Sequence, residues 1–327
     1  MPTTDPRIQR ARPPGDERAA MAAEVRASLT APVPWLPSKY FYDEHGSRLF
    51  EEITRLPEYY LTRTEVGILE DRADAIVAGV EADELVELGA GAGRKIRLVL
   101  DAMARRGTLR RLTLLDVHEQ GLRLALDALE RDYPGLHGRA VVGDFTEDLD
   151  SLGPGGGRLL AFLGSTIGNL EPAEVPRFLR AARGGLDEGD ALLLGVDLVK
   201  DRRRLEAAYN DSAGVTEAFN LNLLCVLNRV LGADFERGGW QHVAFYDDER
   251  GWIEMRLRCR RAAEVHIPAA DLELRFARGD EIRTEISCKF TRASLEGSAR
   301  GTGLGVTEWH VDREELFALA VLRPSRS

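Results

Sequence analysis

The residues whose types and spacing could do chemistry stand at the ends of short apolar runs. ELVEL ends in Glu87-Leu-Gly89-Ala-Gly91-Ala-Gly93, RLTLLD in Asp116, RAVVGDF in Asp144-Phe145, and RLLAFLG in Gly164-Ser-Thr-Ile-Gly-Asn169. Glycines at a strand-to-helix turn let backbone approach a ligand closely, at a helix N-terminus. Acids at the next two ends can accept ligand hydroxyls or amines, and the aromatic beside the second can lie on a flat ring. The glycine spacing is G-x-G-x-G, not the G-x-G-x-x-G that seats a dinucleotide pyrophosphate, which disfavours a nicotinamide site. Each signal alone is weak, since tight turns use glycine and Asp116 or Asp144 could cap helices.

The elements around these residues must place them together. The runs at 84–89, 111–117, 139–145, 158–164 and 191–199 alternate with amphipathic stretches such as RKIRLVLDAMARR and HEQGLRLALDALERD. Such alternation implies βαβ units and a parallel sheet covered on both faces, with right-handed crossovers. Ligands of such sheets bind beyond the carboxyl ends of the strands. From about Asp201 the alternation stops. Residues 202–232 read as helical, while WIEMRLRCRR and EVHI read as strands of another element. SLEGSARG, GVTEWHV and ELFALAVL then supply a helix and a hairpin that complete the first sheet. The expected architecture is α/β: a Rossmann-like sheet domain of residues 63–198 and 288–327, interrupted by a discontinuous α+β substrate domain of residues 1–62 and 199–287. Residues 1 to about 15, rich in proline and arginine, are expected to be frayed. DERAAMAAEVRASL reads as a helix that APVPWLPS stops.

Composition narrows the function. A chain of 327 residues is enough for about two domains at ~150 residues each. Its 44% apolar and 30% charged residues are ordinary for a globular protein. A net charge of −10 argues against sequence-independent nucleic-acid binding, which needs Lys and Arg to neutralise phosphates. No apolar run approaches the ~20 residues of a membrane-spanning helix, and the N-terminus lacks the apolar core of a secretory signal. Cys225, Cys259 and Cys288 are scattered and the six histidines lack metal-ligand spacing. The expectation is a cytoplasmic monomer with no metal, no nucleic-acid partner and no membrane partner. Only four of the 44 basic residues are lysines (Lys39, Lys95, Lys200 and Lys289), which reads as compositional bias.

With its glycine spacing, the Asp144-Phe145 pair and the closing hairpin, the sheet domain resembles the class I methyltransferases that use S-adenosylmethionine. The resemblance implies that Gly89 approaches the amino-acid moiety of that cofactor, that Asp116 accepts the ribose hydroxyls, and that Asp144 and Phe145 hold the adenine, with Gly164 alongside. Outside the sheet, YFYDEHGSRLFEEITRLPEYYLTRTE, GSTIGN, AYNDSAGVTEAFN and IRTEISCKF resemble the histidine Nα-methyltransferases of ergothioneine biosynthesis, which form hercynine. That resemblance runs from about Trp35 to the C-terminus. It implies that Tyr59, Asn169 and Tyr209 clamp the α-amino and α-carboxylate groups of L-histidine, and that Glu285 and Ser287, with Ile286 between them, hold the imidazole. Tyr42, Phe50, Thr216 and Met255 would line the pocket, Lys95 would join the cofactor residues, and Asn169 with Tyr42 would be the catalytic pair.

Physical chemistry supports these roles separately. Phenol and amide donors can bind a carboxylate without a competing permanent charge. Glu285 and Ser287, two apart in a strand-like stretch, share one face, whereas Ile286, Cys288 and Phe290 take the other. A carboxylate beside a hydroxyl suits the two nitrogens of an imidazole, although a solvated edge strand would show the same alternation. Tyr59 and Tyr60 could equally be packing residues with polar tips, and Asn169 a turn residue. The expected reaction is three in-line attacks of the neutral α-amine on the sulfonium methyl, with Glu285 in recognition rather than proton abstraction. The alternatives are the same chemistry on tryptophan or tyrosine, and a non-catalytic S-adenosylmethionine-binding protein.

Overall fold

A strand opens the chain where fraying was expected. In the computed structural model, which describes residues 5–13, 15–90, 93 and 95–325, β1 (Ile8–Arg10) pairs in parallel with β4 (His137–Val142). Arg7 fixes it, bonding to Asp5, Asp127 and Glu130 at 2.6–2.7 Å. The pairing covers an edge that β4 would otherwise expose. A Pro/Arg-rich composition does not reveal such an anchor, because Asp127, Glu130 and the paired strand lie more than a hundred residues away in sequence.

Two units follow from the contacts: residues 1–13, 63–199 and 290–327 form the first, residues 14–62 and 200–289 the second. The switches fall within two residues of the expected positions at 62, 198 and 287. The N-terminal segment differs, because β1 belongs with the sheet rather than with the second unit. In the first unit, β2 (Glu84–Leu88), β3 (Arg111–Asp116), β4, β5 (Arg158–Phe162) and β6 (Ala191–Asp197) run in parallel. They are joined by the antiparallel hairpin β12 (Leu304–Val311) and β13 (Phe317–Pro324), strands being numbered along the whole chain. The order is β1-β4-β3-β2-β5-β6-β13-β12. Every residue of β2, β5 and β6 is buried, as strands covered on both faces require. No helix is long and apolar enough to cross a membrane among the described residues.

The second unit pairs β7 (Trp240–Asp247), β8 (Trp252–Cys259) and β11 (Glu281–Cys288) antiparallel, in the order β11-β8-β7. A separate ribbon joins β9 (Ala263–Ile267) to β10 (Leu272–Phe276). Residues 202–232 are two helices rather than one continuous stretch. Arg202–Tyr209 ends at Asn210, and Val215–Leu231 starts after Gly214 at φ 71°. Asp211 accepts the Val215 and Thr216 amides, so the NDSAG string is a cap and restart that helical periodicity alone does not show. The break puts Tyr209 at one helix end and Thr216 at the start of the next.

Candidate active site

In the first unit the expected cofactor residues gather at the carboxyl ends of adjacent strands. Gly89 leaves β2 at φ 69°, its amide bonded to Leu115 O at 2.8 Å, a conformation that side chains resist. Asp116 ends β3 and accepts the His118 amide at 3.0 Å. Asp144 accepts from the amide and hydroxyl of Thr146 at 2.9 and 2.6 Å. Neither acid caps a helix: the N-cap of Glu119–Asp132 is His118, without a side-chain bond, and residue 148 precedes the 3-10 turn Leu149–Leu152. Phe145 lies 4.9 Å from Phe162, ring centre to ring centre. Gly164 follows β5 at φ 79°, and a Cβ there would come 2.8 Å from Lys95 Nζ. Gly91 lies outside the described residues.

Two acids complete this cluster that motif reading passed over. Glu65, on the helix Leu61–Val80 and fully buried, binds Lys95 Nζ at 2.7 Å and accepts the Gly164 amide at 2.7 Å. Lys95 is therefore held by an ion pair before any ligand binds. Glu87 is buried, and its Oε2 has no hydrogen-bond partner among the described residues. Burial drives its carboxyl up to about 8; Lys95 opposes this, and the charges of Asp116 and Glu65 add to it. Glu87 belongs to the glycine run, so its position was visible, but its depth was not.

That raised value has a stability consequence. The folded state holds the Glu87 proton where the unfolded chain, near pH 4.5, has released it. The favourable contribution is present at low pH and is lost as pH rises toward 8. Glu87→Gln carries no such linkage, so its melting temperature is expected to gain on the parent between pH 5 and pH 8. A constant difference in parallel thermal melts would contradict the assignment.

In the second unit the expected acceptor residues converge. Tyr42, Phe50, Tyr59 and Tyr209 form a chain of rings with centroid separations of 5.5, 6.2 and 6.4 Å. Phe219, absent from the expectations, contacts both Phe50 and Tyr42 at 6.0 and 5.7 Å. The aromatic segment is anchored by Asp43, which caps the helix Glu44–Ile53 through the Gly46 amide at 2.7 Å and binds Asn222 at 2.8 Å and Arg229 at 2.6 Å. Gly46 packs against the Phe41 carbonyl, where a Cβ would collide.

The chain of rings ends on β11. Tyr209 donates its phenol to Ser287 Oγ at 2.8 Å. Lys289, only 6% exposed, donates to Ser287 Oγ at 2.8 Å and to the Tyr209 oxygen at 3.2 Å. Glu285 sits opposite Met255 of β8 in register, and its carboxylate makes no hydrogen bond among the described residues. Desolvation raises its carboxyl to about 7, with only the Lys289 charge lowering it. Although β11 is an edge strand, Ser287 is buried and Glu285 half-buried, so this is no solvated face. Ile286 is buried, with its side chain on the opposite face of the strand. Thr216 is buried at the helix start. Asn169 ends the 3-10 turn Thr166–Asn169 and belongs to the first unit. Tyr60 binds Lys200 at 2.8 Å and has a packing role.

His242 supports this cluster from behind. Its Nε2 lies 2.8 Å from the Tyr209 carbonyl, which can only accept, so its Nδ1 accepts from Asn220 Nδ2 at 2.8 Å. Burial holds the ring below its ordinary value, consistent with a neutral imidazole fixing the end of the helix that carries Tyr209.

A family model described as histidine-specific, S-adenosylmethionine-dependent methyltransferase matches residues 21–324. The chain is 49% identical to a histidine N-alpha-methyltransferase of Mycolicibacterium smegmatis over 302 residues, covering 92% of this chain and 94% of that protein. The corresponding protein of Mycobacterium tuberculosis is 45% identical over the same shares. Ergothioneine biosynthesis protein 1 of Schizosaccharomyces pombe is 33% identical over 70% of this chain and 31% of its own length. In fold, the chain matches the crystal structure of an S-adenosylmethionine-dependent methyltransferase from Clostridium acetobutylicum, with a TM-score of 0.50 at 11% identity over 85% of this chain and 99% of that one.

Proposed function

The chain belongs to the histidine-specific, S-adenosylmethionine-dependent methyltransferase family, and from that premise we propose that it converts L-histidine to hercynine by three successive methylations of the α-amine. The observation that carries the substrate reading is the Glu285–Ser287 pair, a carboxylate without a hydrogen-bond partner among the described residues beside a buried hydroxyl. An indole N–H or a phenol O–H could be accepted by that carboxylate, but neither ring carries the second nitrogen that an imidazole would present to Ser287. Tryptophan and tyrosine are disfavoured accordingly.

The first unit's cluster fits the cofactor. The orphaned Glu87 oxygen suits a cationic group such as an α-ammonium, Asp116 suits ribose hydroxyls, and Asp144 with Phe145 suits an adenine edge and face. When bound, S-adenosylmethionine supplies an electrophilic methyl and its own thioether leaving group. This chain's residues then need only bind and orient. Tyr59, Tyr209 and Asn169 are assigned to the amine and carboxylate of histidine, and Tyr42 and Asn169 to the catalytic pair. Holding reactants in a near-attack geometry can lower a barrier by ~7–11 kcal/mol. The amine must lose a proton before each transfer, and a neighbouring sulfonium disfavours the ammonium form, so no dedicated strong base is required. Glu285 reads the ring.

Incubating the pure protein with S-adenosylmethionine and a mixture of free amino acids should give one, two and three added methyl groups on histidine alone, read by mass spectrometry. Methylation of another amino acid in preference, or none, would overturn the reading. Asp116→Ala is expected to weaken S-adenosylhomocysteine binding roughly tenfold to a hundredfold through loss of charge-assisted hydrogen bonds, with an unchanged circular dichroism spectrum. Unaltered affinity in calorimetry would remove Asp116 from the ribose site.

A further inference from the structure

Three groups next to Glu285 form a closed hydrogen-bond circuit: Lys289 to Ser287 at 2.8 Å, Lys289 to Tyr209 at 3.2 Å, and Tyr209 to Ser287 at 2.8 Å. An ammonium only donates, so both hydroxyl oxygens accept from Lys289. A phenol is a far stronger acid than an alcohol, and the bond between the two hydroxyls therefore runs from Tyr209 to Ser287. Both lone pairs of Ser287 Oγ are then occupied, and its remaining capacity is its own O–H. Glu285, two residues earlier on the same face, can only accept once ionised.

We propose that Lys289 is a positioning residue that sets the hydrogen-bond polarity of the substrate cluster, holding Ser287 as an obligate donor beside the Glu285 acceptor. The pair then selects a ring that presents an N–H at one position and a lone pair at another, which is a neutral azole and neither an imidazolium nor a hydrocarbon ring. The inference rests on the histidine reading and deepens it, since neither the glycine run nor the aromatic segment bears on it. A lysine suits the task where an arginine would not. Its compact ammonium points separate donors at two oxygens in a nearly closed space, where a guanidinium would bring a larger, rigid planar fork.

The test begins with the full-length wild-type protein and competition against histidine methylation. The probes are 4- and 5-thiazolylalanine, which keep an acceptor nitrogen at one or the other ring position without an N–H, and thienylalanine, which keeps neither. At least one thiazole should compete roughly tenfold or more better than thienylalanine, and the advantage should fall to about twofold or less in Lys289→Met and in Ser287→Ala. Combining the two changes should reduce it no further, because Lys289 acts through Ser287. S-adenosylhomocysteine affinity, expected unchanged, certifies the fold. Should Lys289→Met not fold, Lys289→Gln, with a neutral donor, is expected to keep part of the advantage. Equal competition by all three probes in the wild type overturns the proposal, and so does an advantage that survives intact in the Lys289 variant. Failure of the wild type to methylate histidine would instead overturn the underlying reading, before any competition is measured.

Discussion

Replacing Glu285 with alanine should lower kcat/KM for histidine by roughly tenfold to a hundredfold, with S-adenosylhomocysteine affinity unchanged. A hydrogen bond to a charged group contributes about 1.5–3 kcal/mol, and the ring would lose its N–H acceptor in both ground and transition states. The loss should therefore fall mainly on KM, the signature of an interaction that does not change along the reaction. Phenylalanine supplies the contrast. It gains nothing from Glu285 in the parent, and it should be used as well or better once the desolvated carboxylate is gone. Selectivity for histidine over phenylalanine, measured as a ratio of kcat/KM values, thus falls more than either rate alone. In the parent, the same residue predicts weaker histidine binding as pH drops through about 7, where the ligand-free carboxyl takes up its proton. A selectivity ratio unmoved by Glu285→Ala would exclude side-chain reading by this carboxylate.

Much of this was legible because the signals are local. Period-two alternation placed Glu285 and Ser287 on one face of β11, and apolar runs bounded by turns marked five of the six parallel strands, β2 to β6, within about three residues. What stayed hidden depends on partners distant in sequence. β1 is a strand because of Arg7 contacts to Asp127 and Glu130, and Glu65 matters because the fold brings Lys95 and Gly164 to it. The lysine count is instructive. Read as bias, apart from the cofactor role that the resemblance implied for Lys95, it concealed that Lys200 and Lys289 place an ammonium on the Tyr60 and Ser287 oxygens, as Lys95 does on Glu65. Spacing cannot show this, since the acceptors of Lys95 and Lys200 lie 30 and 140 residues away.

Glu65→Ala should have the largest structural effect of any single change in the cofactor cluster. The carboxylate is fully buried, and its two oxygens are divided between the Lys95 ammonium and the Gly164 amide. Removing it leaves one charge and one backbone donor without their partner. Breaking a buried pair costs about 3–5 kcal/mol, and the partial exposure of Lys95, 24% for its side chain, places the loss near the lower limit. For a unit of 150–250 residues, about 3 kcal/mol corresponds to a fall of roughly 6–12 °C in Tm. S-adenosylhomocysteine affinity should fall with it, because Gly164 and Lys95 both lose the group that positions them, while the Glu285 cluster, in the other unit, should keep its ring selectivity. Two further variants separate charge from shape. Glu65→Gln keeps an acceptor for the Gly164 amide but not the ion pair, and should lie between parent and alanine. Gly195→Ala leaves Glu65 in the sequence but drives a methyl group into its Oε1, and should reproduce much of the alanine phenotype. If Gly195→Ala binds S-adenosylhomocysteine like the parent, the carboxylate can move without consequence, and its place in the cofactor cluster is lost.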